Sequence, residues 1–217
     1  MQFTQDEIQC LPKILSAPRF ATYLRAKNGN KSKALALYHW NLKLSSEFII
    51  PLQMCEVSLG NSIVCAIEKT YSRNWPWEIS FEIALPNHAQ DYNPRNDLKM
   101  QQHLPTPGKI VAELRFAFWQ KMLTRRHDAA IWNAHFRTAF PHADQSKTIQ
   151  ELRRQGYAML EEIRKLRNRI AHHEPIFKRN IQEEYDRIKE VIGWTNPTAA
   201  AWVDKIQQVT QMINVKP

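Results

Sequence analysis

Glycine is scarce in this chain, five residues among 217, and with it the positive-φ turns on which tight β-hairpins depend. No two alternating apolar runs make a strand pair, so the sequence predicts no sheet. Cysteine is scarcer still. Cys10, Cys55 and Cys65 are too few and too scattered for a disulfide framework or a thiolate zinc site, and they read as small buried hydrophobes. Cys55 and Cys65 fall on one expected helix, about 15 Å apart at ~1.5 Å rise per residue, out of disulfide reach. Long apolar runs are missing too: the stretches 48–55 and 57–67 are parted by Glu56 and fall short of the ~20 residues a bilayer span needs. The opening Met1-Gln2-Phe3-Thr4-Gln5-Asp6-Glu7 lacks the positive charge that starts an export signal. These absences lead to the expectation of a cytoplasmic protein with no membrane partner, no metal and no cofactor.

Positive charge is in surplus. Thirty Lys and Arg stand against 21 Asp and Glu, a net +9, which favours polyanionic partners and ranks nucleic acid ahead of membrane. The length suffices for a proper core, no repeat or low-complexity tract appears, and three-and-four apolar spacing recurs. One all-α domain, a helical bundle, is expected over residues 1–217. Thr4 with Glu7 reads as a capping box; Pro12 and Ser16-Ala17-Pro18 then interrupt the chain before a second piece to about Lys27, stopped by Asn28-Gly29-Asn30. Helices are expected over 32–44 and, from a cap at Ser45 or Ser46, through Phe48, Leu52, Cys55, Leu59, Ile63, Ile67 and Tyr71, with Pro51 in the first turn. The polar stretch 86–108 contains Asn93-Pro94 and Pro105-Thr106-Pro107-Gly108 and is expected as a loop or partly ordered insertion. Helices over 109–123, 128–140, 146–173, 181–192 and 197–213 complete the expectation.

The densest chemistry lies in Leu166-Arg167-Asn168-Arg169-Ile170-Ala171-His172-His173-Glu174-Pro175, at the expected end of a helix. Arginine offers a permanently charged fork matched to phosphate oxygens, and histidine gives or takes a proton near neutrality. The combination points at RNA. Residues 151–180 carry eight Lys and Arg against four Glu, and Arg164, Arg169, Lys178 and Arg179 are the candidate RNA-binding cations. With Ile163, Leu166 and Ile170 facing the core, His172 falls nearly opposite that stripe, one turn from Asn168. Arg167 and His173 flank the core; Arg167 has an alternative reading as a salt-bridged partner of Glu162 or Glu56, and His173 is read as a hydrogen-bonded packing residue. Arg137 and His142 share the five-residue spacing, but Phe140-Pro141 breaks any helix that would carry both.

Arg167-Asn168-x-x-x-His172 is similar to the R-x-x-x-x-H signature of HEPN ribonucleases. More narrowly, four segments resemble the Abi-like (abortive infection) family of bacterial defence proteins: Tyr38-His39-Trp40-Asn41-x-x-Leu44-Ser45, Glu56-x-x-Leu59-x-Asn61, Val111-Ala112-Glu113-Leu114-x-Phe116-x-Phe118-Trp119, and Leu166 through Phe177. The resemblance covers roughly residues 20–205. Two departures stand out, Gly60 where that family usually has arginine and Ala117 where glycine is common. The resemblance implies a HEPN-like bundle and a metal-independent endoribonuclease of toxin or phage-defence type. It also implies a homodimer whose signatures meet across one cleft, and a possible protein or RNA antitoxin. Arg167, His172 and Asn168 become the catalytic candidates, with His173, Glu174, Glu56 and Asn61 as secondary ones. On an ideal helix Arg167 and His172 stand about 140° apart, so one chain does not converge them while a two-fold pairing could.

Two other classes stay open. A non-catalytic RNA-binding or partner-binding helical protein would use the same basic face, with Trp75, Trp77, Trp119, Trp132, Trp194 or Trp202 stacking bases where not buried. A metallohydrolase on His172, His173 and Glu174 is weaker, because adjacent histidines diverge on a helix and no His-Glu-x-x-His is present.

Overall fold

The computed structural model describes residues 2–217, and every regular element among them is helical. Thr4 caps α1 (Gln5–Ile14) with the reciprocal Thr4–Glu7 box, and α2 (Ala17–Ala26) follows. Both pack on α3 (Lys31–Glu47), which Asn30 caps through its side chain.

The expected start at Ser45 or Ser46 is not where the next helix begins. α3 meets α4 (Ile49–Thr70) at the single residue Phe48, fully buried and itself helical in φ and ψ. Hydrogen bonding continues across it, from Phe48 N–H to the Leu44 carbonyl and from Leu52 N–H to the Phe48 carbonyl. The ladder loses its rung at Pro51, which has no N–H to give Glu47. The apolar stretches separated in the sequence thereby join: within Lys31–Thr70 one 18-residue window reaches a mean hydropathy of 1.4, long and apolar enough to cross a membrane by length and composition alone. In the fold its Leu52, Cys55, Leu59, Ile63, Ala66 and Ile67 are buried among other helices.

The stretch expected as a loop is largely helical. Asn93 accepts the Asn96 amide and Pro94 opens α6 (Pro94–Gln101), while Thr106 accepts the Lys109 amide and Pro107 opens α7 (Pro107–Glu113); α5 (Ile79–Ala84) and a 3₁₀ turn at Trp75–Trp77 precede them. Both prolines sit at the first helical position, where a missing N–H costs nothing and the fixed φ favours a helix. The expected single helix 109–123 is broken at Leu114 and Arg115, both extended, before α8 (Phe116–Met122). Buried Asp97 holds the break by accepting the Arg115 amide at 3.4 Å and the Tyr92 hydroxyl at 2.6 Å.

A π-helical turn at Asp128–Trp132 leads into α9 (Asn133–Ala139). The Thr148–Glu151 capping box starts α10 (Ile149–Ala171), slightly inside the expected limits. Gly193 does not end α11 (Ile181–Thr195); it lies within it, its position of a Cβ 3.9 Å from that of Ala200. The expected 197–213 helix divides into α12 (Pro197–Ile206) and α13 (Val209–Asn214), because the Gln207 side chain captures the Thr210 amide. α4 and α11 pack together at the centre, with α8, α9, α10 and α12 around them, and one cluster of buried apolar residues runs from Phe20 to Val209. Of the cysteines only Cys55 is buried; Cys10 and Cys65 are exposed, because each lies on the outward side of its helix. Trp75, Trp119, Trp132 and Trp194 belong to the core, whereas Trp77 and Trp202 are exposed.

Candidate functional site

The stripe predicted on α10 is buried throughout: Leu152, Met159, Ile163, Leu166 and Ile170. That burial fixes the rotation of the helix and so the direction of every polar group on its last turns. His172 is the C-terminal cap, its N–H bonded to the Asn168 carbonyl at 2.9 Å. His173 then turns left-handed, φ 57°, giving its N–H to the Ile170 carbonyl at 3.0 Å, and Glu174 reaches back to the Arg169 carbonyl at 2.7 Å. This is a Schellman closure with histidine where glycine is usual. The Arg169 guanidinium lies 3.5 Å from the Glu174 carboxylate and donates to the Pro175 carbonyl at 3.0 Å.

The following residues are anchored from the far end of the sequence. Asn41 on α3, 3% exposed, accepts both the Ile176 amide at 2.9 Å and the Phe177 amide at 3.2 Å through Oδ1. The turn is thus fixed by α10 on one side and by α3 on the other, while His172, His173 and Glu174 are all exposed. The reading of His173 as a packing residue is corrected: its positive φ swings the chain off the helix just where that side chain would have met the core.

Arg167 opens into a cavity of about 610 Å³. α4 lines it with Ile49, Leu52, Gln53, Glu56, Val57, Gly60 and Asn61, successive positions of one helical face. α7 adds Val111 and Ala112, α8 adds Trp119, and α10 adds Ile170 and Ala171 beside Arg167. Glu56 and Asn61 are therefore brought to Arg167, though no Glu56–Arg167 contact of 4 Å or less forms among the described residues; nor does Arg167 pair with Glu162, whose carboxylate meets Lys165 and Arg179. Burial pushes the Glu56 carboxyl above the usual carboxylate range, and the charge of Arg167 partly offsets this. Gly60 packs against the Trp119 indole: a Cβ there would sit 3.3 Å from Cε2 and 3.6 Å from Nε1.

Arg169, Lys178 and Arg179 instead line a second hollow of about 370 Å³ with Thr22 and Pro175. The two hollows share no residue, and His172 and Asn168 line neither. Arg179 is the most committed of the cations, paired with Glu162 at 3.1 Å and with buried Glu184, which Arg187 also meets at 3.0 Å. Burial raises the Glu184 carboxyl and the Arg179 charge works against that rise. Arg164 is bonded to Glu161 at 2.9 Å, and Lys178 lies over the Phe177 ring at 5.9 Å. Among the described residues no three His, Cys, Asp or Glu side chains converge as a metal-holding group.

Sequence reasoning did not find Gln53 or the role of Asn41. The face of α4 was legible in the spacing 49, 52, 53, 56, 57, 60, 61; that α7, α8 and α10 close over it was not. Neither family models nor curated proteins nor solved structures provide a match to this chain.

Proposed function

We propose that this protein is an endoribonuclease of the abortive-infection, HEPN-like type, metal-independent and acting as a homodimer on RNA in the cytoplasm, with a protein or RNA antitoxin as its natural restraint. The observation that carries the reading is the exposed His172 imidazole at a rigidly closed helix end, five residues after a guanidinium that opens into a cleft. Within one chain Arg167 and His172 serve different surfaces, so the chemistry is assigned to a seam between two copies.

The ribose 2′-hydroxyl attacks the adjacent phosphorus. His172 of one protomer accepts the hydroxyl proton as the new P–O2′ bond forms, and His172 of its partner protonates the departing 5′-oxygen as the P–O5′ bond breaks. Arg167 meets the charge that builds on the phosphoryl oxygens, and Asn168 orients them. The products are a 2′,3′-cyclic phosphate and a 5′-hydroxyl. Purified protein incubated with end-labelled RNA in chelator should yield both, leave DNA intact, and lose cleavage in His172→Ala while the dimer persists. Full activity in that variant would move the site elsewhere.

A second reading, RNA binding without cleavage, draws on the hollow of Arg169, Lys178 and Arg179, whose lining includes three cations and no carboxylate residue. Under it the same incubation retards the RNA without shortening it.

A further inference from the structure

We infer that the cavity between α4, α7, α8 and α10 is a guanine subsite, which takes a guanosine nucleotide with its base among the aliphatic walls, its donor edge toward Glu56 and its phosphate toward Arg167. Its consequence for cleavage, a preference for RNA carrying guanosine beside the broken bond, rests on the ribonuclease reading; the binding itself does not.

The cavity has a size typical of small-ligand sites, about 610 Å³. Its walls are chiefly aliphatic, and at its base the buried Trp119 indole packs closely on Gly60, where a Cβ would sit 3.3 Å away. A flat, weakly polar body fits such walls. Two charged groups border the same space without pairing at 4 Å or less among the described residues: the half-buried Glu56 carboxylate in its wall and the exposed Arg167 guanidinium. An occupant with hydrogen-bond donors would satisfy the carboxylate, since a charge in an apolar wall is costly unless partnered, and the exposed guanidinium is free to meet an anion on the same ligand. Among the common bases guanine alone offers two parallel donors, N1–H and the 2-amino group, to the two oxygens of one carboxylate; adenine and cytosine present a single amine beside an acceptor, and uracil a single N–H between two carbonyls. A 5′-phosphate supplies the anion, for which the arginine fork is geometrically suited. Gln53 and Asn61, on the same face of α4, add amide donors and acceptors at the rim.

The His172→Ala protein, which keeps the cavity and removes the proposed cleavage, is titrated calorimetrically with 5′-GMP, AMP, CMP and UMP. GMP should bind about tenfold or more tightly than the other three, because each charge-assisted bond lost costs of that order. Glu56→Gln, carrying one acceptor oxygen instead of two, should remove the GMP advantage without shifting the thermal midpoint. Equal affinity for all four nucleotides, selectivity that survives Glu56→Gln, or no heat with any of them at millimolar concentration overturns the assignment. If Glu56→Gln is unfolded, Ala112→Phe decides instead: filling the cavity from this exposed lining position must abolish GMP binding, and binding that persists refutes the assignment. A parallel arm with a short RNA bearing one guanosine distinguishes free nucleotide from RNA residue as the ligand. Guanine-selective binding with no RNA cleavage by the native protein leaves the subsite standing and removes the ribonuclease reading, whereas cleavage with no guanine-selective binding does the reverse.

Discussion

Replacing Asn41 by alanine deletes one oxygen on which two buried amides depend. Oδ1 accepts from Ile176 at 2.9 Å and from Phe177 at 3.2 Å, Asn41 is 3% exposed, and Ile176 and Phe177 are both buried. Neither amide finds water once the acceptor is gone, so each bears a desolvation penalty of about 1–3 kcal/mol. The pair together should cost about 3–4 kcal/mol, a large part of the ~5–15 kcal/mol that holds a domain folded. With a urea slope near ~3 kcal/mol per molar for a chain of this length, the unfolding midpoint should fall by roughly 1 M. Hydrogen exchange locates the effect: the Ile176 and Phe177 amides should lose protection first, ahead of those in α4 and α11. Asn41→Asp, which keeps the acceptor, should restore protection of these two amides. A midpoint shift below about 0.3 M, or exchange at 176 and 177 unchanged from the native rate, would show that the turn after α10 is held by something other than this side chain.

At His173, φ 57° strains an L-residue by roughly 1 kcal/mol, less for histidine than for branched residues, so His173→Gly should raise stability by about 0.5 kcal/mol or more while His173→Ala does not; equal unfolding midpoints for the two variants would refute the strain. His127, 1% exposed with Nε2 unpartnered, has its imidazole pushed down to about 4 by burial, helped by Arg126. Below about 6.5 the unfolded chain binds a proton there that the folded one refuses until about 4, so stability falls as pH falls through that window, by about 2 kcal/mol between pH 7.5 and pH 5. His127→Leu should abolish that part of the pH dependence in parallel denaturation curves. Arg153 Nε meets Asp128 Oδ1 at 2.7 Å, off the N–H axis, and its Nη1 donates to the Leu123 carbonyl at 2.9 Å, both side chains being largely buried. Arg153→Met should cost about 3 kcal/mol by stranding the Asp128 charge, and adding Asp128→Leu should recover most of it; an additive loss in the double variant would exclude coupling of the pair.

Local chemistry was legible where the residues acting on near neighbours along the chain have one local use. Thr4–Glu7 caps α1 as its spacing announces, and the apolar repeat of α10 turned that helix to the predicted side. The all-helical class followed from few glycines and from period, because both express backbone preferences that need no partner. Elements were missed where one residue type has two local uses. Pro94 and Pro107 read as breakers yet open helices, and the difference lies in whether Asn93 and Thr106 bend back to accept an amide.

The sequence by itself determined which side chains share a helical face: Glu56, Gly60 and Asn61 on one, Arg167 and Ile170 on another. Only the tertiary structure decided that these faces meet around one cavity, that Arg169 and Lys178 open elsewhere, and that Asn41 holds the turn 135 residues away in sequence. The reason is physical: a helical period fixes angle about an axis, whereas the distance between axes is set by how buried side chains such as Trp119 and Leu166 fill the space between them.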